Sequence, residues 1–317
     1  MKFSPRLALG LAAPALLVGL QACATARDTE AALNAPIQAT AQAIPPVQEA
    51  STGPALWKVA DEDTTIYLFG TVHALPREVD WYTGAVENAL ALSGTLVTEI
   101  PAGAAQDSSM QQVIIGKAML PADQSLRTLL AEDQAARYEA AMTGLGLPVA
   151  AFDRFEPWFA GISLSMLPLA RAGYQPESGV EMVIEGLAGQ ATQRQALETV
   201  EFQLSMLDRL DADSQIAFLM AAVENVDNIA GMMDRMVEEW LEGDADGLAE
   251  LMNQGLTDPE LAEALLYSRN RSWADWIEAR LDTPGTVFIA VGAGHLAGEK
   301  SVQDYLEERR LEVERVQ

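Results

Sequence analysis

Two stretches decide how this sequence reads: Ile66-Tyr67-Leu68-Phe69-Gly70-Thr71-Val72-His73, and Val287-Phe288-Ile289-Ala290-Val291-Gly292-Ala293-Gly294-His295. Each is a short β-like apolar run that ends in the pattern G-x-x-H. Together they hold the only two histidines among 317 residues. Histidine is the side chain most used for metal ligation and for proton transfer near neutral pH. A chain that places its two histidines at matching strand ends is expected to bring them together.

Working outward from His73, Trp57 to Ala60, the acidic Asp61-Glu62-Asp63 and Thr65 to Phe69 read as a hairpin. Thr83 to Leu92 has helical spacing. Leu96-Val97-Thr98-Glu99-Ile100 reads as a second core strand, stopped by Pro101. Strand, helix, strand implies a parallel pair in an α/β layer. Ligands in such sheets collect beyond the carboxyl ends of the strands, so His73 and Glu99 are expected to be neighbours.

From about Ser125 to Leu281 the pattern is mostly helical. Met206, Leu207, Leu210, Phe218 and Met220 recur at helical spacing and read as core packing. Gln195-Ala196-Leu197 reads as a short strand leading into Glu198-Thr199. The last unit is a strand to Val291, a turn to His295, a helix over Lys300 to Arg309 and a strand over Leu311 to Val316. The fold class is therefore α/β. Its core is divided between two strand-turn-helix units, and a helical insertion at about 120–281 forms a second lobe or cap.

Two imidazoles and one carboxylate on one rim, His73, His295 and Glu99, make a donor set suited to Zn, Mn, Fe or Co. A bound divalent ion would lower the pKa of its water and polarise a carbonyl. Glu198 is the leading candidate for a general base, ahead of Glu181 and Glu201. Helix capping is the structural alternative for Glu198, and a cap or ion pair for Glu99. Arg269 could neutralise a carboxylate or oxyanion; with Arg271 it could equally be a solvated helix charge. Trp273 and Trp276 read as core. Gly70, Gly292 and Gly294 are expected to let the backbone turn sharply and approach a ligand. The chain contains no His-Glu-x-x-His, cysteine cluster or G-x-S-x-G.

Residues 1–22 read as an export signal, with Lys2 and Arg6 before the apolar run Leu7 to Leu20. Leu20-Gln21-Ala22-Cys23 resembles a bacterial lipoprotein cleavage box, which makes Cys23 a lipidation site. The alternative is ordinary cleavage at Ala22-Cys23-Ala24. Cys23 is the only cysteine, so no intrachain disulfide can form. The Ala-, Gln- and Pro-rich stretch that follows, to residue 54, reads as a tether. The expected location is the periplasm, lipid-anchored to the outer membrane of a Gram-negative bacterium, with no other membrane contact. The folded part, 55–317, is long enough for one substantial core. The net charge of −26 repels phosphate backbones and excludes nucleic acid as a partner.

These residues resemble the TraB/GumN family, related to the Tiki metalloproteases, over nearly all of 55–317. The resemblance rests on Leu68 to His73, Leu96 to Glu99, Pro157-Trp158 and Gly179-Val180-Glu181. It continues through Ala196 to Thr199, Glu201 to Leu204, Arg269 to Trp273 and Val291 to Gly298. It implies a fold similar to haem-binding ChaN-like and erythromycin-esterase-like proteins, with His73, His295 and Glu99 as metal and catalytic residues. It also implies Mn- or Co-dependent proteolysis of a peptide or protein. The sequence departs from the family in carrying Glu181 where Asp is usual, and Lys300 and Arg310 where glycines are usual. The reading that follows is an envelope-tethered metal-dependent hydrolase, a peptidase. The alternatives are a non-catalytic haem- or peptide-binding protein, and a metal-free esterase-like hydrolase with His73 as base.

Overall fold

Asp61 closes the first turn. Its Oδ1 accepts from the backbone N–H of Asp63 at 3.1 Å and of Thr64 at 2.8 Å. This joins β1 (Leu56–Ala60) to β2 (Thr64–Thr71) as the expected antiparallel hairpin. The computed structural model describes residues 53–317 apart from 83, 105–106 and 254–258. The export signal, Cys23 and the tether up to residue 52 lie outside the described residues.

The sheet is six-stranded, in the order β4-β3-β5-β2-β1-β6. Strand β5 (Gly285–Gly292) runs parallel to β2 from Thr64 opposite Gly285 to Thr71 opposite Gly292. On its other edge lies β3 (Thr95–Thr98), also parallel, followed by β4 (Gln193–Ala196). Strand β6 (Val313–Arg315) is antiparallel to β1. The expected direct pairing of β2 with β3 is therefore corrected: they are parallel, but β5 lies between them. The reason is apolarity. Val287 to Gly292 are all buried, and a strand apolar on both faces belongs in the interior of a parallel sheet.

Alternation along the strands divides the core in two. Leu56, Phe69, Leu96, Phe288 and Ala290 face one side, against Val86 and Leu90 of the Gly84–Leu92 helix, Val180 and Ile184 of Val180–Leu187, and Val237 and Trp240 of Ile229–Glu242. Val59, Ile66, Leu68, Val97, Val287 and Ile289 face the other, against the Ser268–Leu281 and Val302–Glu308 helices. Full burial of side chains of this size stabilises by roughly 1.5–3 kcal/mol each.

The helical insertion also builds a core of its own. Leu126, Tyr138, Met142, Leu164 and Leu219 meet there, away from the sheet. Leu207, Phe218 and Met220 are buried, as the helical spacing implied.

Candidate functional site

Four neighbouring parallel strands each deliver one site residue at their carboxyl ends. His73 follows β2, Glu99 follows β3, Glu198 follows β4, and His295 follows β5 through the short 3-10 turn Ala293–Leu296. The ladder between β3 and β4 continues past the strands. Leu197 N–H donates to the Thr98 carbonyl at 3.0 Å and Glu198 N–H to the Glu99 carbonyl at 2.8 Å, which sets the two glutamates side by side.

Gly292 is the point on which three of these residues converge. Its N–H donates to Glu99 Oε1 at 2.7 Å. A Cβ built on it would lie 3.0 Å from Glu99 Oε1, 3.6 Å from His73 Nε2 and 3.6 Å from His295 Cδ2. None of Gly70, Gly292 and Gly294 has a positive φ, although the 3-10 turn Ala293–Leu296 starts directly after Gly292 and contains Gly294. Glycine at these positions permits close approach; a Cβ on Gly70 would lie 3.0 Å from the Cα of Ala293.

Arg269 enters from the Ser268–Leu281 helix and binds the carboxylates. Its Nε and Nη2 donate to the two oxygens of Glu198, both at 2.8 Å, and Nη2 also donates to Glu99 Oε2 at 2.6 Å. Its Nη1 donates to the Leu265 carbonyl at 3.0 Å and lies 2.9 Å from His295 Nε2. Gln203 Nε2 donates to both Glu99 and Glu198 at 3.0 Å. Trp273 Nε1 donates to Glu198 Oε1 at 2.9 Å. Thr199, not Glu198, caps the following helix, accepting from Phe202 N–H. Glu201 is exposed. Arg271 is half-exposed, as a surface helix charge, and pairs with Glu263.

Each imidazole has its Nδ1 held. His295 Nδ1 donates to Asn270 Oδ1 at 2.5 Å, and Asn270 Nδ2 donates to the Lys300 carbonyl at 2.8 Å, which fixes the amide's orientation. His295 Nε2 is therefore the lone-pair nitrogen that accepts from Arg269. His73 Nδ1 donates to Glu181 Oε1, which also accepts from the Thr71 hydroxyl at 2.5 Å. Holding one nitrogen in this way sets the tautomer and aims the other. Exposure differs sharply. Arg269, Glu99, Glu198 and His295 side chains are 2–6% exposed, whereas His73 and Glu181 are each at 21% and form the open side.

Burial sets the charge states, opposed by the partners. Burial would raise Glu99, but Arg269, the two imidazoles and the Gly292 N–H together outweigh it, so the carboxyl is held far below its usual range. Burial and then Arg269 hold His295 well below 6.5, so it is neutral. Burial lowers His73, but the Glu181 carboxylate overcomes this and lifts it to about 9. Burial would likewise raise Glu181, and the imidazolium of His73 holds it down.

In kind, His73, His295 and Glu99 suit a divalent metal ion. Both imidazoles have an oriented Nδ1. Three carboxylates against one guanidinium leave two negative charges when both imidazoles are neutral. In arrangement, Arg269 bonds two of the three donors, and among the described residues no group of three His, Cys, Asp or Glu is poised around an ion.

Sequence reasoning missed four members of this constellation: Thr71, Gln203, Asn270 and the polar role of Trp273. A signal existed for the last alone. Arg269 and Trp273 stand at i and i+4, on one helical face, whereas Asn270, next to Arg269, shows its 1% exposure only in the fold. Trp273 is core as expected, yet its ring also lies 4.3 Å from that of His295.

A family model described as TraB/PrgY/gumN matches residues 55–315. The chain belongs to this family. No curated protein and no solved structure matches it.

Proposed function

We propose that this member of the TraB/PrgY/gumN family is a metal-dependent hydrolase of carbonyl substrates, a peptidase. His73, His295 and Glu99 would hold a divalent ion, Mn, Co, Zn or Fe. One observation carries the reading: two imidazoles from opposite ends of the chain, each with Nδ1 held, meet beside the Glu99 carboxylate at Gly292. Such an ion supplies a water of lowered pKa and polarises a carbonyl. The rest falls to the chain's own residues. All four acceptor positions of Glu198 are taken by Arg269, Trp273 and Gln203, so Glu198 holds Arg269 in place rather than carrying a proton. Proton transfer belongs to the open side and falls to Glu181, the carboxylate that also holds His73 Nδ1. Arg269 places a positive charge beside the developing oxyanion. The export signal and Cys23 would place the protein in the periplasm on a lipid anchor, acting on envelope peptides or proteins.

A second reading is favoured by Arg269. The guanidinium satisfies Glu99, Glu198 and His295 without any ion, which suits a metal-free hydrolase using the His73–Glu181 pair. Elemental analysis beside the His73→Ala and His295→Ala variants separates the two. Near-stoichiometric metal, lost in both variants together with peptide hydrolysis, supports the first. Hydrolysis that survives chelation of a metal-free protein supports the second and overturns the first.

A further inference from the structure

Arg269 uses all five of its N–H groups. Three go to partners outside the proposed donor set: Nε and one Nη2 hydrogen to Glu198, and one Nη1 hydrogen to the Leu265 carbonyl. The other two go to Glu99 Oε2 and His295 Nε2, which belong to two of the three proposed ligands. The side chain is 2% exposed and packs over the Trp273 ring at 4.8 Å, so these bonds are shielded from bulk solvent. Leu265 lies in a π-helical turn, Glu263–Tyr267, directly before the Ser268–Leu281 helix. Such turns interrupt the ordinary helical register and recur at functional sites.

We propose that Arg269 is the site's resident counter-cation and competes directly with the divalent ion for Glu99 and His295. This rests on the metal-dependent reading above. Of the guanidinium's five bonds, ion binding takes the His295 Nε2 lone pair outright and weakens the bond to Glu99 Oε2, because Glu99 then divides its charge between two cations. Glu198 and the Leu265 carbonyl keep the other three, so Arg269 stays in the site, withdrawn toward Glu198. The bidentate Glu198 pairing is thus what lets the cation step aside without leaving a buried charge unpaired. Metal affinity is then set by the contest between the two cations as well as by the donors.

The test is calorimetric titration of the full chain with Mn²⁺, comparing the native protein with Arg269→Met and Arg269→Lys. Competition predicts tighter Mn²⁺ binding in the variants, by about tenfold or more. It also predicts a larger rise in melting temperature on Mn²⁺ addition, because the ion replaces the missing positive charge. The ammonium introduced by R269K retains one charge but cannot span both acceptors, so R269K reports even if R269M does not fold. In the native chain, the side-chain ¹⁵N signals of Arg269 must shift under saturating, diamagnetic Zn²⁺. Native binding that is as tight as that of the folded variants, or ¹⁵N signals unmoved by bound Zn²⁺, overturns the competition while leaving the metal site standing. No binding by any of the proteins overturns the metal-dependent reading itself, and the competition with it.

Discussion

The backbone N–H of Gly292 donates to Glu99 Oε1 at 2.7 Å, across 193 residues of sequence. It ties the end of β5 to the end of β3 and fixes the carboxylate that Arg269 and Gln203 hold by its other oxygen. A methyl group at Gly292 would stand 3.0 Å from that oxygen, tighter than ordinary contact, and beside both imidazoles. Gly292→Ala is expected to push Glu99 off this bond and destabilise the fold by about 1–3 kcal/mol. Urea unfolding measures the loss of stability, and metal content and peptide hydrolysis report the displaced carboxylate. A variant with native stability and native metal binding would show that the Gly292–Glu99 contact does not organise the site.

Asn270 positions His295 and is expected to matter without touching substrate. Asn270→Ala removes the acceptor of a buried imidazole N–H and frees the Lys300 carbonyl, a loss of about 1–3 kcal/mol. The informative readout is the tautomer. Imidazole ¹⁵N shifts should show His295 protonated at Nδ1 in the native protein and redistributed in N270A. Asn270→Asp keeps an acceptor but adds charge, so it should restore the tautomer and raise the His295 pKa. An unchanged tautomer in N270A would remove Asn270 from the positioning role.

The site was legible in the sequence to the extent that it lay at strand ends. His73, Glu99 and His295 each follow an apolar β-run and Glu198 follows the short polar β4, and parallel strands collect such ends on one edge. The order of those strands was not legible, because hydrogen-bond neighbours depend on which run is buried on both faces. The residues that came from helices were the least visible. Arg269, Asn270 and Gln203 look like ordinary helix surface positions until the chain is folded. Glu198 resembled a cap because it precedes a helix by two residues; the neighbouring Thr199 takes that role. The two unusual residues Lys300 and Arg310 turn out to be the non-glycine residues with positive φ among those described, at +58° and +64°.

His73 should titrate far from an ordinary histidine. Its folded pKa is raised from 6.5 to about 9 by Glu181. A raised folded pKa contributes stability that is fully present below 6.5 and is lost as pH rises through 9. The metal-free protein is therefore expected to lose on the order of 3 kcal/mol across that window. Glu181→Gln removes the charge that raises His73, and should both lower its NMR midpoint and flatten the stability profile above neutrality. A native His73 midpoint near 6.5 would show that the pair carries no such coupling. His295 works on the acid side: its depressed pKa means that stability falls as pH drops below 6.5, where the unfolded chain binds a proton that the buried ring cannot.

Arg310 stands where a glycine fits better. The Val302–Glu308 helix ends with Arg310 N–H bonded to the Glu307 carbonyl at 2.8 Å and Leu311 N–H to the Leu306 carbonyl at 3.1 Å. That pair of bonds closes a helix with a left-handed residue, for which glycine is preferred. A non-glycine residue there carries roughly 1–2 kcal/mol of strain. Glycine returns part of the gain by loosening the unfolded chain, by about 0.4–1 kcal/mol. Arg310→Gly is accordingly expected to stabilise by about 0.5–1 kcal/mol, visible as a raised melting temperature. Arg310→Ala is the control. It removes the same exposed charge but keeps a Cβ, so the strain stays and no stabilisation is expected. If Ala raised the melting temperature as much as Gly, side-chain charge and not backbone conformation would be the cause. Lys300 shares the conformation, but its carbonyl accepts from Asn270 and its ammonium lies 4.4 Å from the Tyr267 ring. Lys300→Gly therefore relieves strain at the expense of a contact next to the site, and its net gain should be smaller than that at Arg310.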